Sequence, residues 1–449
     1  MKGENKMVNA TTIVSEIEFK TMSKVNKRLI PYLILLYLFC MLDRVNVGFA
    51  ALTMNADLGI NSAQYGLVAG IFFVGYFIFE VPSNIIMTKV GARKWIARIL
   101  ISWGIVSAMC GLIHTATHLY IIRFLLGAME AGFYPGIMLY MTFWFPAKER
   151  AKVVSLFMLA IPLSSMFGAP LSGLILDHIH WLNLSSWRWL FFMEGIPTFL
   201  AGVVTLIVLP NRPNEAKWLK ESEKKWLTDT IIKEHESIAK KHKQSKWKAL
   251  TGGTTWLLAI IYFSKTMALY GVSFFAPTLI KSITVGLSNF QIGLVNGIPL
   301  IFGCIFMVLW SRHSDKTGER RYHVAISLSI CFIGLIGIGL TSNPYFSVFF
   351  LTLTNCGVYG IYGSFWAMTG MVFTEEYAAI AMASINSIAN LGGFIGPMAI
   401  GALKTATGSS YYGFYSIAGF IMVSVGITLS LKFIGSDVYN DGKLFENKT

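Results

Sequence analysis

Twelve apolar stretches run through this chain of 449 residues, and each is long enough to cross a lipid bilayer as a helix. About 20 consecutive apolar residues span the hydrocarbon core of a membrane. Hydrophobic residues make up 54% of the chain and charged residues only 13%, against about 25% charged residues in a soluble domain. We therefore expect an all-α membrane protein with twelve transmembrane helices. The predicted spans are residues 29–52, 65–88, 95–114, 118–141, 152–176, 187–209, 251–280, 289–310, 323–341, 345–372, 377–403 and 411–433.

Basic residues are concentrated in the loops on one side of these spans. With the N-terminus in the cytoplasm, the N-terminal segment and the cytoplasmic loops together carry 27 Lys and Arg residues, and the outer loops carry only Arg188, Lys281 and Lys404. This asymmetry follows the positive-inside rule. The net charge of +14 therefore indicates membrane orientation and not nucleic-acid binding. We expect a bacterial inner-membrane protein with both termini in the cytoplasm.

The chain also repeats itself. Gly91 and Gly318, in basic loops after spans two and eight, are 227 residues apart, and so are Pro170 and Pro397 in spans five and eleven. A duplicated six-helix unit is typical of secondary transporters. We predict two pseudo-symmetric six-helix bundles with a cytoplasmic linker that carries one or two amphipathic helices. The predicted segments are a cytoplasmic segment (1–28), the first bundle (29–209), the linker (210–250), the second bundle (251–433) and a cytoplasmic tail (434–449).

Charged residues inside the spans are the main candidates for function, because intramembrane charges are costly and usually face a bundle interior or a water-filled path. Asp43 and Arg44 lie near the middle of span one. Arg123 and Glu130 share one face of span four, with Gly127 between them. We predict that Arg44 binds a substrate carboxylate and that Glu130 alternates between pairing with Arg44 and carrying a proton.

Asp43, paired with Arg123, is predicted to be a second protonation site. The alternative is a permanently paired quartet that holds spans one and four together, and Arg123 is the member that best fits a structural role. Glu80 in span two is either a gate or relay residue or the partner of a nearby cation. Glu194 in span six is interpreted as structural.

The charged set is absent from the second half, where the corresponding positions are Tyr270, Gly271 and Gly357. Lys265 lies deep in span seven, either as a second anion contact that favours a dicarboxylate or as the partner of a carboxylate across the interface. We add polar and aromatic candidates for substrate contact, although an aromatic stripe is more often packing. These candidates are Tyr76, Tyr359, Tyr362, Trp366, Asn386 and Asn390.

Several motifs carry a resemblance to a known family. Over residues 25–435 the chain resembles the major facilitator superfamily, through the loops Lys89-Val90-Gly91-Ala92-Arg93-Lys94 and Asp315-Lys316-Thr317-Gly318-Glu319-Arg320-Arg321. Thr88 departs from that pattern, which has an Asp there. The resemblance is closest to the anion:cation symporter family, through Asp43-Arg44-Val45-Asn46, Arg123-xxx-Gly127-xx-Glu130 and Trp187-Arg188-Trp189.

A further resemblance is to the bacterial hydroxyphenylacetate, phthalate and tartrate permeases of that family. It rests on Pro82-Ser83-Asn84, Gly91-Ala92-Arg93-Lys94-Trp95 and Phe143-Trp144-Phe145-Pro146. The resemblance implies a transporter fold and the same roles for Asp43, Arg44, Arg123 and Glu130 as the charge pattern predicts.

The expected function is proton-coupled uptake of a small organic anion, such as a sugar acid, an aromatic acid or a dicarboxylate. An anion exchanger or uniporter on the same fold is the alternative. The chain lacks HExxH, a Walker lysine loop and a nucleophile paired with a base, so an enzyme is not expected. Its five cysteines lie in apolar spans without metal-ligand spacing, so we expect neither a metal nor a cofactor. The predicted partners are the anion, protons and the lipid bilayer, and we expect a functional monomer.

Overall fold

A computed structural model describes residues 2–158, 160–239, 252–284, 286–373 and 375–446. These residues form α-helices joined by short loops, with no strand among them. The helices are α1 (Lys2–Asp57), α2 (Ser62–Val90), α3 (Ala92–Cys110), α4 (Ala116–Glu130), α5 (Phe133–Thr142), α6 (Ala147–Met158), α7 (Ala160–His178), α8 (Ser186–Val208), α9 (Glu221–Ala239), α10 (Gly253–Ile283), α11 (Asn289–Thr317), α12 (Arg321–Gly339), α13 (Pro344–Val372), α14 (Glu375–Asn390), α15 (Gly392–Thr407) and α16 (Tyr411–Glu446).

The helices account for the twelve predicted spans. Nine segments of the described chain are long and apolar enough to cross a membrane, and one of them combines α4 and α5. The three other spans are α3, α6 with α7, and α14 with α15. Three basic residues near its start reduce the apolar character of α3, and α14 is separated from α15 at Leu391. The predicted all-helical, twelve-span architecture is confirmed.

The linker contains the amphipathic helix α9, which packs against α1 at Lys24. Lys24 of α1 donates to both carboxylate oxygens of Glu223, at 2.6 and 2.9 Å. Trp218, just before α9, stacks on Trp144 with ring centroids 5.7 Å apart. Residues 240–251, where the predicted linker ends, lie outside the described part of the chain.

Each of the two basic loops that mark the repeat contains a glycine with positive φ. Gly91 joins α2 to α3 with φ +95°, and Gly318 ends α11 with φ +68°. Positive φ is easily reached by glycine and is strained for other residues. Asp315 accepts from Arg320 at 2.7 Å in the second loop. We call the side of the protein with these loops and the linker the basic face, and the other side the opposite face.

The two halves meet through close helix contacts towards the opposite face. A Cβ atom on Gly66 of α2 would lie 2.5 Å from the Pro397 carbonyl oxygen of α15. A Cβ atom on Gly173 of α7 would lie 2.2 Å from the Asn289 carbonyl oxygen of α11. Small residues allow helix backbones to approach this closely in a membrane. Gly66 and Gly173 therefore allow helices of the two halves to lie in close contact on this side.

Four polar contacts also join the halves on this side, and we call them the opposite-face contacts. Asp177 accepts from Asn289 N at 3.1 Å, from Asn289 Nδ2 at 2.7 Å and from Phe290 N at 2.8 Å. The other three are Lys281 Nζ to Leu52 O at 3.0 Å, Tyr65 Oη to Phe274 O at 2.9 Å and Ala63 N to Thr405 Oγ1 at 2.9 Å. Burial raises the pKa of Asp177, but the hydrogen bonds from Phe290 and Asn289 outweigh it and leave the pKa below its usual value. Asp177 is therefore charged at neutral pH.

Candidate functional site

A break in the fourth span lies next to Glu130. Helix α4 ends at Glu130, Gly132 adopts φ +87°, and α5 begins at Phe133. A Cβ atom on Gly132 would lie 2.3 Å from Ser83 Oγ, so both the backbone conformation and the space favour glycine there. Discontinuous helices near the middle of the membrane are a common framework for transporter binding sites. This break therefore has the geometry of a transporter binding site around Glu130.

Close packing between α2 and α4 holds this part of the fourth span in place. A Cβ atom on Gly127 would lie only 1.9 Å from the Phe72 carbonyl oxygen. Gly127 therefore allows α2 to lie close against α4. The contact places the ring of Phe72 between two cations, because the guanidinium carbons of Arg123 and Arg44 lie 5.2 and 5.6 Å from its centroid.

Arg44 and Glu130 form a buried ion pair across α1 and α4. Glu130 Oε1 accepts from Arg44 Nε at 2.7 Å and lies 2.6 Å from Arg44 Nη2. The Cys40 thiol donates to the same oxygen at 3.2 Å. Glu130 is fully buried, and its second oxygen, Oε2, has no hydrogen-bond partner among the described residues. The structure thus brings together the two residues on which the predicted coupling depends.

Arg44 is also the point where the charged site meets the second half of the chain. Its side chain is 15% exposed, and its Nη1 donates to the Tyr270 hydroxyl of α10 at 3.3 Å. The guanidinium carbon lies 5.2 Å from the ring centroid of Tyr76. The candidate Tyr76 therefore lies beside the proposed anion-binding group. An anion that approached Arg44 would contact aromatic side chains from both halves.

The predicted pairing of Asp43 with Arg123 is wrong. Asp43 instead accepts from Trp103 Nε1 at 2.6 Å, from Asn46 Nδ2 at 3.1 Å and from Ser107 Oγ. Asp43 and Arg44 are neighbours in a helix with 3.6 residues per turn, so their side chains point about 100° apart. Arg44 consequently faces α4 while Asp43 faces α3.

Arg123 is buried and 1% exposed, and its nearest polar contact is a weak one, from Nε to the Val68 carbonyl oxygen at 3.4 Å. Its Nη1 has no hydrogen-bond partner among the described residues. Arg123 thus contacts the ring of Phe72 and forms no ion pair within the described residues. The paired quartet proposed as a structural alternative is not formed.

Glu194 shares a hydrogen-bond donor with Asp43. The side chain of Asn46 donates to Glu194 Oε2 at 2.7 Å and to Asp43 Oδ1 at 3.1 Å, so one amide joins two carboxylates. Glu194 is 7% exposed and takes part in no ion pair within the described residues. The i, i+3 spacing of Asp43 and Asn46 on α1 placed them on one helix face, but nothing in the sequence linked them to α8.

Lys265 lies in an aromatic box in the second half. It is 2% exposed, and its Nζ lies 3.6 Å from the ring centroid of Tyr362 and 4.9 Å from that of Tyr262. Trp366 packs edge-on against Tyr262, and Tyr359 stacks on Tyr362. The alternative pairing of Lys265 with a carboxylate is not found among the described residues. Of the three aromatic candidates, Tyr362 therefore contacts the buried Lys265 cation directly, and Tyr359 and Trp366 each contact a tyrosine that does so.

The remaining candidates lie on α14, on either side of a residue that contacts the first half. Asn386 and Asn390 are half-buried, and between them Ser387 donates to Glu80 Oε2 of α2 at 3.5 Å. Glu80 is 7% exposed and forms no ion pair among the described residues, so the alternative in which it pairs with a nearby cation is not found there. Its weak contact with Ser387 instead lies nearer the basic face than the opposite-face contacts and joins the halves there.

Comparisons with known proteins agree with this architecture. The model of the Major Facilitator Superfamily matches residues 33–397. A protein of Agrobacterium vitis named "Putative tartrate transporter" is 45% identical over 96% of this chain and 98% of its own length. The "Quinolone resistance transporter" of Acinetobacter baumannii is 37% identical over 92% of this chain and 95% of its own length.

Solved structures show the same fold. A bacterial homologue of the human lysosomal transporter Spinster, in an inward-facing and occupied conformation, superposes with a TM-score of 0.74 at 15% identity. The match covers 92% of this chain and 97% of the other. Together with the family match, this places the charged site inside a transporter and not an enzyme. The chain belongs to the major facilitator superfamily.

Proposed function

We propose that this protein takes up a small organic anion together with protons. The observation that carries the proposal is the Arg44–Glu130 ion pair. In it the buried carboxylate of Glu130, at a helix break, is bound to the partly exposed guanidinium of Arg44. A planar guanidinium binds carboxylates through two parallel hydrogen bonds. A substrate carboxylate and Glu130 therefore compete for the same donors.

Proton binding couples this competition to transport. A proton on Glu130 removes its negative charge and weakens its ion pair with Arg44. The guanidinium of Arg44 can then donate hydrogen bonds to the substrate carboxylate. Loss of substrate on the other side of the membrane leaves Arg44 without a counterion until Glu130 releases its proton and pairs again. Leaving one partner of a buried ion pair uncompensated costs about 3–5 kcal/mol. The empty carrier without a proton and the substrate-bound carrier with a proton are thus both favoured. The carrier with only a proton or only a substrate is disfavoured.

The two halves supply alternating access. The basic face corresponds to the cytoplasm under the positive-inside rule, so contacts at the opposite face close the outer side. This arrangement corresponds to an inward-facing carrier. Rocking of the two six-helix bundles would break the opposite-face contacts and expose Arg44 to the outside. Both termini and the linker 210–250 would remain in the cytoplasm, and one monomer in the bilayer carries the complete pathway.

The second half supports a substrate with two negative charges. Lys265 is a buried cation without a carboxylate partner in the described chain, and it faces Tyr362. Together with Arg44 it would offer two anion contacts from different halves. Tartrate, named for the Agrobacterium vitis relative, carries two carboxylates and two hydroxyl groups. Tyr359, Trp366, Asn386 and Asn390 are the candidates for contacts with the uncharged part of the substrate.

Uptake into proteoliposomes tests the proposal. Purified protein is given tartrate, a sugar acid, an aromatic acid or a quinolone carboxylate, with and without an inward proton gradient. We expect accumulation of at least one anion only when the gradient is present, and loss of accumulation in Glu130→Gln with substrate exchange retained. Uptake that ignores the pH gradient but requires an anion inside would favour the exchanger, and facilitated uptake without accumulation would favour the uniporter.

Replacing Lys265 tests the substrate class separately. Lys265→Met keeps the length of the side chain and removes its charge. We expect KM for a dicarboxylate to rise about 10-fold or more, since one charged contact contributes about 1.5–3 kcal/mol, while KM for a monocarboxylate with the same backbone stays within about twofold. Lys404→Met, at the opposite-face end of α15, is the matched control. Equal loss for both substrates would remove Lys265 from substrate recognition.

A further inference from the structure

Two buried carboxylates of the first bundle are joined by a single amide group. Asn46 Nδ2 contacts Asp43 Oδ1 at 3.1 Å and Glu194 Oε2 at 2.7 Å, so the two acidic oxygens lie at most about 6 Å apart. Asp43 and Glu194 are 2% and 7% exposed. This cluster of Asp43, Asn46 and Glu194, the acid–amide cluster, is distinct from the Arg44–Glu130 pair.

Backbone packing between α3 and α8 keeps water away from the cluster. A Cβ atom on Gly195 would lie 2.6 Å from Ala108 N, and one on Gly104 would lie 2.4 Å from Phe199 N. The two glycines therefore allow α8 to lie against α3 next to Glu194. Two isolated carboxylates in such a position are unfavourable when both are charged, because burial of an ionised group without a counterion is costly.

Charged groups around the cluster do not neutralise it. Arg44 on α1 is already paired with Glu130. On α3 the basic side chains Arg93, Lys94 and Arg98 all lie in the first two turns, near the basic face. On α7, the remaining helix packed on α8, the titratable side chains Asp177 and His178 lie at the opposite face.

Arg123 on α4 is the remaining cation whose charge acts on Asp43, and it forms no ion pair within the described residues. The two buried carboxylates of Asp43 and Glu194 therefore have one nearby positive charge, that of Arg123. A single proton on the pair of acids restores local neutrality.

We propose that Asp43 and Glu194 share a proton through Asn46 and form a second proton site, separate from Glu130. This inference rests on the proposed function, because it assigns a residue on the sixth span to proton coupling. No bond other than the O–H bond forms or breaks: the proton enters from water, resides on one carboxyl group and leaves to water on the other side. Glu194 then acts on transport through Asp43 and not through contact with the anion.

Unfilled hydrogen-bonding capacity at the cluster fits such a shared proton. The Asn46 carbonyl oxygen Oδ1 and Glu194 Oε1 are both buried without a hydrogen-bond partner among the described residues. An amide offers two donors on one side and an acceptor on the other. When a carboxyl group becomes protonated, rotation of the Asn46 amide turns its oxygen towards the new O–H donor. Asn46 can therefore bind the cluster in both protonation states.

Infrared difference spectroscopy of the purified protein tests the proposal without transport. The carbonyl band of buried protonated carboxyl groups is followed during a pH titration in wild type, Glu194→Gln and Asp57→Asn. Asp57 is a matched control, because it also accepts hydrogen bonds from side chains, Trp187 and Ser185, but lies at the opposite face. Two charges about 6 Å apart at an effective dielectric constant of about 20 shift a proton-binding midpoint by about two pH units.

We expect Glu194→Gln to remove one buried carboxyl band or to move its midpoint down by about one pH unit or more, and the pH at which proton-driven uptake is half-maximal to fall with it. Asp57→Asn should change neither. An unchanged band and an unchanged uptake midpoint in a folded Glu194→Gln protein would overturn the inference. Wild-type uptake that ignores the proton gradient would instead refute the proposed function, while leaving the infrared result to decide the proton site.

A second variant covers the case in which Glu194→Gln does not fold. Asn46→Thr keeps both acids but removes the bridging amide. Both carboxylates then lose a hydrogen-bond donor, so we expect the carboxyl midpoint to rise, opposite to the effect of Glu194→Gln. A midpoint that stays at the wild-type value would show that the amide does not connect the two acids.

Discussion

Neutralising Glu130 is the perturbation that most directly tests how the anion site works. Glu130→Gln keeps the size and shape of the side chain and a carbonyl oxygen where Oε1 now stands. It removes the negative charge that competes with a substrate for Arg44. The variant therefore mimics the protonated carrier at every pH, and we expect it to bind anions tightly even where the wild type does not.

The two contacts of Oε1 set the size of the effect. Arg44 reaches this oxygen through Nε at 2.7 Å and Nη2 at 2.6 Å. A hydrogen bond to a charged group contributes about 1.5–3 kcal/mol and one between neutral groups about 0.5–1.5 kcal/mol. Arg44 stays charged in the variant, so each contact changes from an ion-pair hydrogen bond to one between a charged and a neutral group, which together releases about 2 kcal/mol of competition. This corresponds to a Kd for the anion that is about 30-fold lower at alkaline pH.

Calorimetry of the purified protein measures this difference. The Kd of a transported anion is determined between pH 5 and pH 8 for both proteins. The wild-type Kd should rise steeply towards alkaline pH, whereas the variant should keep a low Kd and equal the wild type at acid pH. The variant should also exchange substrate across proteoliposome membranes but fail to accumulate it. Equal affinities at alkaline pH would refute the competition between Glu130 and the anion.

Two further predictions concern packing and closure. Gly127→Ala forces a Cβ atom to within 1.9 Å of the Phe72 carbonyl oxygen. We therefore expect Tm in detergent to fall and the free energy of unfolding to drop by about 2 kcal/mol or more. The control Gly426→Ala, which has nothing within 4 Å, should be neutral or slightly stabilising. A Gly127→Ala protein with the wild-type Tm would contradict the close crossing of α2 and α4. Asp177→Ala removes three hydrogen bonds that join the halves and should increase the outward-open population about 5- to 30-fold, measured as the distance between spin labels at Thr115 and Asn343. An unchanged distance distribution would show that Asp177 does not hold the opposite face closed.

The sequence predicted the parts of this structure that depend on periodicity and composition. Span number follows from apolar length, and the duplicated unit follows from one offset of 227 residues shared by Gly91 and Pro170. The ion pair of Arg44 with Glu130 was also predictable, because depth along a helix can be estimated from its rise of about 1.5 Å per residue. Each of these depends on distance along a single helix or on repetition.

Contacts that depend on rotation between helices were not predictable in the same way. Asp43 was expected to face Arg123, but its direction is decided by which neighbour lies beyond α1, and that neighbour is α3 with Trp103. The hydrogen bond from Asn46 to Glu194 was not predictable, since nothing in one sequence connects a residue of α8 with the amide of Asn46. Lys265 could be located at depth, whereas its enclosure by tyrosines required the packing of α10 on α13.

The opposite-face contacts share a property with consequences for evolution. In each, a side chain of one half bonds a main-chain group of the other, such as Asp177 with the amide of Phe290 and Lys281 with the carbonyl oxygen of Leu52. A main-chain group remains available for hydrogen bonding when its own side chain is substituted. Substitutions in one half therefore do not easily break the opposite-face contacts. The opposite-face contacts can tolerate mutation while the binding surfaces diversify. This fits relatives that keep the fold and differ in the compounds for which they are named.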